Sequence, residues 1–111
     1  MQAIDVGKEF YHRLANRDDK QGDGKHTGVE FRNRFLSHLN NLEAWKSPSE
    51  PIILDFKNVK KIGPSFASEA FGYFMKYVNP EEFLKKIQFI NISGVHLMII
   101  KEELESAYKG K

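Results

Sequence analysis

The chain of 111 residues contains no cysteine, so it holds no disulfide, no thiol nucleophile and no cysteine-ligated zinc. No apolar run reaches membrane-spanning length, which leaves no candidate transmembrane helix. The first residues lack the basic and apolar regions of a secretory signal. These absences set the expectation of a cytoplasmic chain with no membrane partner. An excess of either charge is missing too. Against 17 basic side chains stand 15 acidic ones, for a formal net charge of +2, and lysines are interleaved with acids in most segments. So small a charge does not mark a nucleic-acid binder, and no nucleic-acid partner is expected. The tight basic cluster Lys57, Lys60 and Lys61 reads as a solvated turn between a strand and a helix rather than a phosphate-binding patch. The four histidines, His12, His26, His38 and His96, show no short metal-ligand spacing, so no metal is expected.

Apolar residues are plentiful. Hydrophobic residues make up 41% and aromatic residues 13% of the chain, with nine phenylalanines, a composition well above that of disordered segments. At this length the expectation is a single domain over residues 1–111 with its own core. Between Arg17 and Lys25 the sequence turns polar and glycine-bearing, which predicts an exposed, flexible loop at about 17–26.

The short apolar run Pro51-Ile52-Ile53-Leu54-Asp55-Phe56 follows a Ser-Pro-Ser-Glu-Pro cluster, which favours a central strand covered on both faces. Gly63-Pro64-Ser65 then places proline where a first helical turn tolerates it, and apolar residues recur at Phe66, Ala67, Ala70, Phe71, Phe74, Met75 and Val78 as one continuous helical face. Upstream, Gln2–Val6 reads as an opening strand, and Phe10–Leu14 as either a second strand or a helical turn. Thr27 and Glu30 have capping-box spacing, predicting a helix to about Leu42 with Phe31, Phe35, Leu39 and Leu42 on its apolar stripe. Asn79-Pro80-Glu81-Glu82 opens a short helical turn before a strand at Ile87–Asn91, and Ser93 caps a final helix whose Leu97, Ile100, Leu104 and Tyr108 keep helical spacing. Strands separated by amphipathic helices need crossover connections, so the sheet should be largely parallel and the fold class α/β.

Leu54-Asp55-Phe56, followed by Ile62-Gly63-Pro64-Ser65-Phe66-Ala67-Ser68-Glu69-Ala70-Phe71-Gly72, resembles the STAS-like domain family of unknown function, which is related in fold to the STAS domains of anti-sigma-factor antagonists. Weaker likeness extends to Gly28-Val29-Glu30-Phe31-Arg32 and to Ile87-Gln88-Phe89-Ile90-Asn91, covering most of the chain. The resemblance implies a small STAS-like sandwich, a mostly parallel central sheet with helices packed on it. It further implies a non-catalytic regulatory or protein-interaction module, a partner-binding switch in bacterial signalling, with no cofactor and with an ATPase-type kinase or other regulator as partner. In the antagonists the corresponding turn carries Asp-Ser-Ser-Gly, and its first serine is phosphorylated by such a kinase. Here Pro64 stands at that acceptor position, Ser65 fills the place of the second serine, Gly63 replaces the acid and Phe66 replaces the glycine. Gly63, Pro64, Ser65 and Phe66, with Ser68 and Glu69 on the helix, are the candidate partner-binding or phosphorylation residues, Ser65 first and Ser68 second.

Other readings use the same residues or the polar loop. A small enzyme or an anion- or nucleotide-binding domain would use the strand-to-helix turn at 62–72, where free amides at a helix start hold an anion. Gly-x-Ser-x-Gly is absent, since Gly63-Pro64-Ser65-Phe66-Ala67 lacks the closing glycine, and capping explains Ser65 more cheaply than nucleophilic attack. Asp55 and Glu69 are the candidates for acid–base work. Gly24-Lys25-His26-Thr27 has only part of a phosphate-binding loop, with Asp19 where the first glycine belongs. Asp19, Gln21, Asp23, Gly24 and Glu30 approximate a calcium loop, with a neutral Gln21 where an acid or Asn is usual and with Glu30 already used by the capping box. The chain is therefore expected not to be an enzyme.

Overall fold

The computed structural model describes residues 3–15, 27–47 and 50–110. The expected loop at about 17–26, with its phosphate-loop and calcium-loop residues up to His26, lies outside the described residues. Strand β3 (Ile52–Asp55) is central in a parallel three-stranded sheet, flanked by β1 (Ala3–Asp5) and β5 (Ile87–Ile90). A second parallel pair joins β2 (Arg13–Leu14) to β4 (Lys61–Ile62). Every described strand pair is thus parallel, as crossover connections require.

The described residues form six α-helices: α1 (Val6–Glu9), α2 (Gly28–Phe35), α3 (Leu42–Lys46), α4 (Pro64–Ala70), α5 (Pro80–Lys86) and α6 (Gly94–Lys109), with 3-10 turns at Ser37–Leu39 and Gly72–Lys76. Most begin where the sequence supplies a short polar cap. Asp5, Thr27, Asn41, Asn79 and Ser93 each accept a hydrogen bond, 2.8–3.1 Å long, from the backbone N–H three residues on, which satisfies an otherwise orphaned donor of the first turn. The expected long helix after Thr27 stops earlier, because Leu36 leaves helical geometry (φ −125, ψ 10) and Asn41 caps a new helix. The break lets the Trp45 indole N–H donate to the Leu39 carbonyl at 2.8 Å, and it turns Leu42 outward, 44% exposed rather than on the apolar stripe. Phe10–Leu14 proves to be the exit from α1 followed by β2.

The core forms around α4. Phe66, Ala67, Ala70, Phe71, Phe74, Met75 and Val78 are all buried, so the stripe stays continuous although the backbone tightens from α to 3-10 at Gly72. Phe71 sits at its centre, in edge contacts with Phe31, Phe89 and Phe83 at centroid separations of 5.7, 5.4 and 6.0 Å, a geometry that aromatic quadrupoles favour. Helix α2 crosses close to α4 at Gly28, where a Cβ would lie 3.0 Å from the Phe66 carbonyl. Trp45 and Phe83 stack at 5.8 Å, and the Lys86 ammonium ties α5 to the end of α3 through the Ala44 and Ser47 carbonyls at 3.0 and 3.1 Å.

The strand order β1-β3-β5 steps in one direction. Right-handed crossovers repeated in one direction place their helices on one face of the sheet, and burial follows that rule. Ile4, Ile52, Leu54, Ile87 and Phe89 belong to the core or pack against it, while in the alternate rows Ala3 pairs with Ile53 and Gln88, and Asp5 with Asp55 and Ile90. In these outer rows Ala3, Gln88 and Ile90 are exposed. Within β3 itself no residue is exposed, Ile53 being half-buried and Asp55 buried; the exposure of the outer rows belongs to the flanking strands, and the described helices pack on the other side.

Two substitutions test this packing. Phe71→Ala, at a position with 0% exposure, should cost about 3–5 kcal/mol in urea unfolding. Gly7→Ala would place a Cβ 2.1 Å from the Asn58 carbonyl oxygen. It should cost about 1–3 kcal/mol, because backbone rather than a flexible side chain has to move; an unchanged unfolding midpoint would refute the close approach.

Candidate functional site

The strand-to-helix turn is held from below. The Gly63 N–H donates to the Leu14 carbonyl at 2.7 Å, continuing the β2–β4 ladder by one residue, and the Gly63 carbonyl accepts the Ala67 N–H at 3.1 Å. Gly63 is therefore the helix cap, with extended backbone and no side-chain cap bond, and Pro64 occupies the first turn. This corrects the capping role expected for Ser65, which lies inside the first turn with its side chain exposed. Phe66 and Ala67 behind Ser65 are both 0% exposed, so the turn is anchored at its next residues.

The six candidates separate by environment. Pro64 and Ser65 are exposed, Gly63, Ser68 and Glu69 are half-buried, and Phe66 is fully buried. Phe66 thus belongs to the core beneath the turn rather than to its exposed surface. Glu69 is committed elsewhere: Arg32 of α2 donates through one guanidinium nitrogen to the Glu69 carbonyl and, at 2.8 Å, to its Oε2. The same guanidinium lies 3.8 Å from the centroid of the Tyr73 ring, with the Lys76 ammonium also 3.8 Å from that centroid. The Tyr73 and Tyr77 hydroxyls both donate to Asn40 Oδ1, at 2.8 and 3.1 Å. Hydrogen bonding to Lys76 and its positive charge hold the Tyr73 hydroxyl below the usual tyrosine pKa, against the opposing effect of burial. Sequence reasoning missed this cluster. Tyr73, Lys76 and Tyr77 show helical spacing, but the approach of Arg32 and Asn40 is a tertiary event.

Asp55 sits at the C-terminal end of the sheet, in register with Asp5. Its Oδ1 accepts the Lys57 N–H at 3.0 Å and the Asn91 amide at 3.1 Å, and the Lys57 ammonium lies 3.6 Å from its Oδ2 and 3.9 Å from Asp5 Oδ2. Asn91 reaches it from a left-handed conformation, φ 52, one that asparagine tolerates better than most residues. Asn58 completes the cluster with a 2.8 Å bond to Asp5. The Lys57 N–H, and after it Asn91 and the Lys57 charge, hold the Asp55 carboxyl below the ordinary carboxylate pKa, overcoming desolvation. A general base for neutral pH needs the opposite shift. The two carboxylates considered for acid–base work, Asp55 and Glu69, bind different partners, Lys57 and Asn91 for the first and Arg32 for the second.

Cofactor and metal geometry is sparse as well. Among the described residues no group of three or more His, Asp or Glu side chains could hold a metal ion, and no helix is long and apolar enough to cross a membrane. An α/β sheet that steps in one direction lacks the strand-order reversal at which such sheets open a ligand crevice. A surface depression including Leu97, Met98, Lys101 and Glu105 borrows all its residues from α6; it is the side of a helix rather than a cleft between elements.

A short parallel sheet with helices packed against it and an exposed, glycine-capped strand-to-helix turn make a small α/β sandwich. The family model described as a STAS-like domain of unknown function, DUF4325, matches residues 27–96, and the chain belongs to that family. No curated protein and no solved structure matches it.

Asp55 gives a pH-dependent prediction. A carboxyl whose folded pKa is depressed contributes stability that is present above its ordinary pKa and is lost as pH falls through the folded value. Asp55→Asn should therefore lower the urea midpoint most above the ordinary carboxylate pKa of about 4, and the difference from wild type should close as pH falls below it. A difference that widens on acidification would contradict the hydrogen-bonded carboxylate.

Proposed function

We propose that the chain is a non-catalytic regulatory module that binds a protein partner through the exposed side of the turn and helix between Ile62 and Gly72. The observation that carries this reading is the pairing of exposure with support: Pro64 and Ser65 face solvent while Phe66 and Ala67, the next residues, are fully buried. Rigid presentation of a few exposed side chains suits recognition, because little ordering entropy is lost on binding. The nearby acids are engaged in ion pairs with Arg32 and Lys57, which suits a surface for contact rather than for proton transfer. The competing anion- or nucleotide-binding reading draws less support, since α4 spans seven residues and Pro64 removes one of its first-turn donors.

In this reading the chain acts as a cytoplasmic signalling component, and Ser65 is the hydroxyl that a partner kinase of ATPase type would modify. A phosphate adds roughly two negative charges at the positive end of a helix, where the fold tolerates them. Ser68, half-buried one turn further on, is the second acceptor. Ser65→Asp should leave the circular dichroism spectrum near wild type and reduce partner capture from lysate of the native cell roughly tenfold, as loss of a central contact does. Capture equal to that of wild type would remove this turn from the interface.

A further inference from the structure

The tight lysine cluster of the sequence comes apart in the fold, and a different one takes its place. Lys57 turns to Asp5 and Asp55. Lys60 and Lys61 remain exposed, and the parallel pairing of β2 with β4 sets Arg13 in register with Lys61. Leu14 and Ile62, the next register pair, are buried, so strand alternation puts Arg13 and Lys61 side by side on the outer surface. The N–H groups of Lys60 and Lys61 both reach the His12 carbonyl, at 2.8 and 3.3 Å, which fixes the backbone beneath them. The described ion pairs fall on Arg32 and Lys57 and on none of Arg13, Lys60 and Lys61.

Like charges in register across a strand pair destabilise it. A fold that holds two cations in that position with no neutralising acid among the described residues, next to the turn that begins at Gly63, carries an unfavourable term that an anionic ligand would relieve. We propose that Arg13, Lys60 and Lys61 form the electrostatic half of the docking surface, and that the partner segment they recognise is an acidic peptide of clustered Asp and Glu side chains. The inference rests on the reading of the adjacent turn as a protein contact. Carboxylates suit the site because a guanidinium and ammoniums present separate donors to them. Nucleic acid fits less well, because its affinity scales with the number of phosphates neutralised and the whole chain has a net charge of only +2.

The test is equilibrium fluorescence anisotropy of the full chain with a labelled oligo-glutamate peptide, and in parallel with a labelled single-stranded oligonucleotide. Peptide binding should weaken as salt is raised, and Lys61→Glu should weaken it roughly tenfold or more. Lys101→Glu, at an exposed position of α6, should change it less than about twofold. Lys61→Glu should also keep or raise the melting temperature, since it replaces a like-charged register pair by an opposite one. Arg13→Glu should behave in the same way. Absence of peptide binding, equal losses in Lys61→Glu and Lys101→Glu, or tighter binding of the oligonucleotide would overturn the proposal. Loss of capture in Ser65→Asp without any peptide binding would leave the turn as interface and remove the acidic partner. Peptide binding lost in Lys61→Glu while Ser65→Asp captures normally would keep the patch and remove the turn.

Discussion

The structure depends on burying one apolar stripe, Phe66 to Val78, between the sheet and the neighbouring helices. Its members come from a single stretch of chain, yet they touch nearly every layer: Phe71 meets Phe31 of α2, Phe89 of β5 and Phe83 of α5. A three-stranded parallel sheet is close to the minimum that stands independently, and it does so here because the stripe gives its inner face a continuous apolar partner. Glycine at position 28 and the Arg32–Glu69 pair then bring α2 against α4 at short range. The large rings fix how much space there is, and the small residues, Gly28, Ala67 and Ala70, fix how closely the helices approach.

Because both crossovers step the same way, the fold spends its helices on one side of the sheet. The other side keeps Asp5 and Asp55 in one register row, and they are satisfied by Lys57, Asn58 and Asn91. That cluster has the position at which many α/β proteins bind ligands, the C-terminal ends of the strands, but its donors and acceptors are matched to one another. Among the described residues the strand ends serve the fold. Exposed, rigidly backed side chains occur instead at the β4–α4 turn, which is why the proposed contact lies there.

Electrostatics is arranged in two ways within a few residues. Lys57 is drawn into an ion-paired turn, whereas Lys61, four residues later, stands beside Arg13 with no acid among the described residues to offset either charge. Among the described residues a pair of this kind contributes nothing favourable to the domain, which leaves room for a stabilising contact. The proposed acidic partner supplies one, and it makes the surface charge and the exposed turn parts of a single recognition face.

Much of the fold is legible in the sequence because its signals are local. Thr27, Asn79 and Ser93 ahead of apolar periodicity name three helix starts, Pro64 marks the first turn of α4, and the spacing from Phe66 to Val78 marks its buried face through a change of helix type. The family likeness rests on the same stretch, 54–72. Other features are decided only by tertiary structure. Whether β3 is covered on one face or two depends on the direction of the crossovers, which no window of residues encodes. The end of α2 at Phe35 goes with a break that lets Trp45 reach back to Leu39, and the side of Leu42 follows from that break. Ser65 has the composition of a cap but not its position, because the ladder bond from Gly63 to Leu14 sets the helix start two residues earlier. Arg13 and Lys61 are 48 positions apart in sequence and adjacent in space. Local propensity determines which segments are helix and strand; long-range pairing, with its register and its handedness, determines which side chains become surface and in whose company.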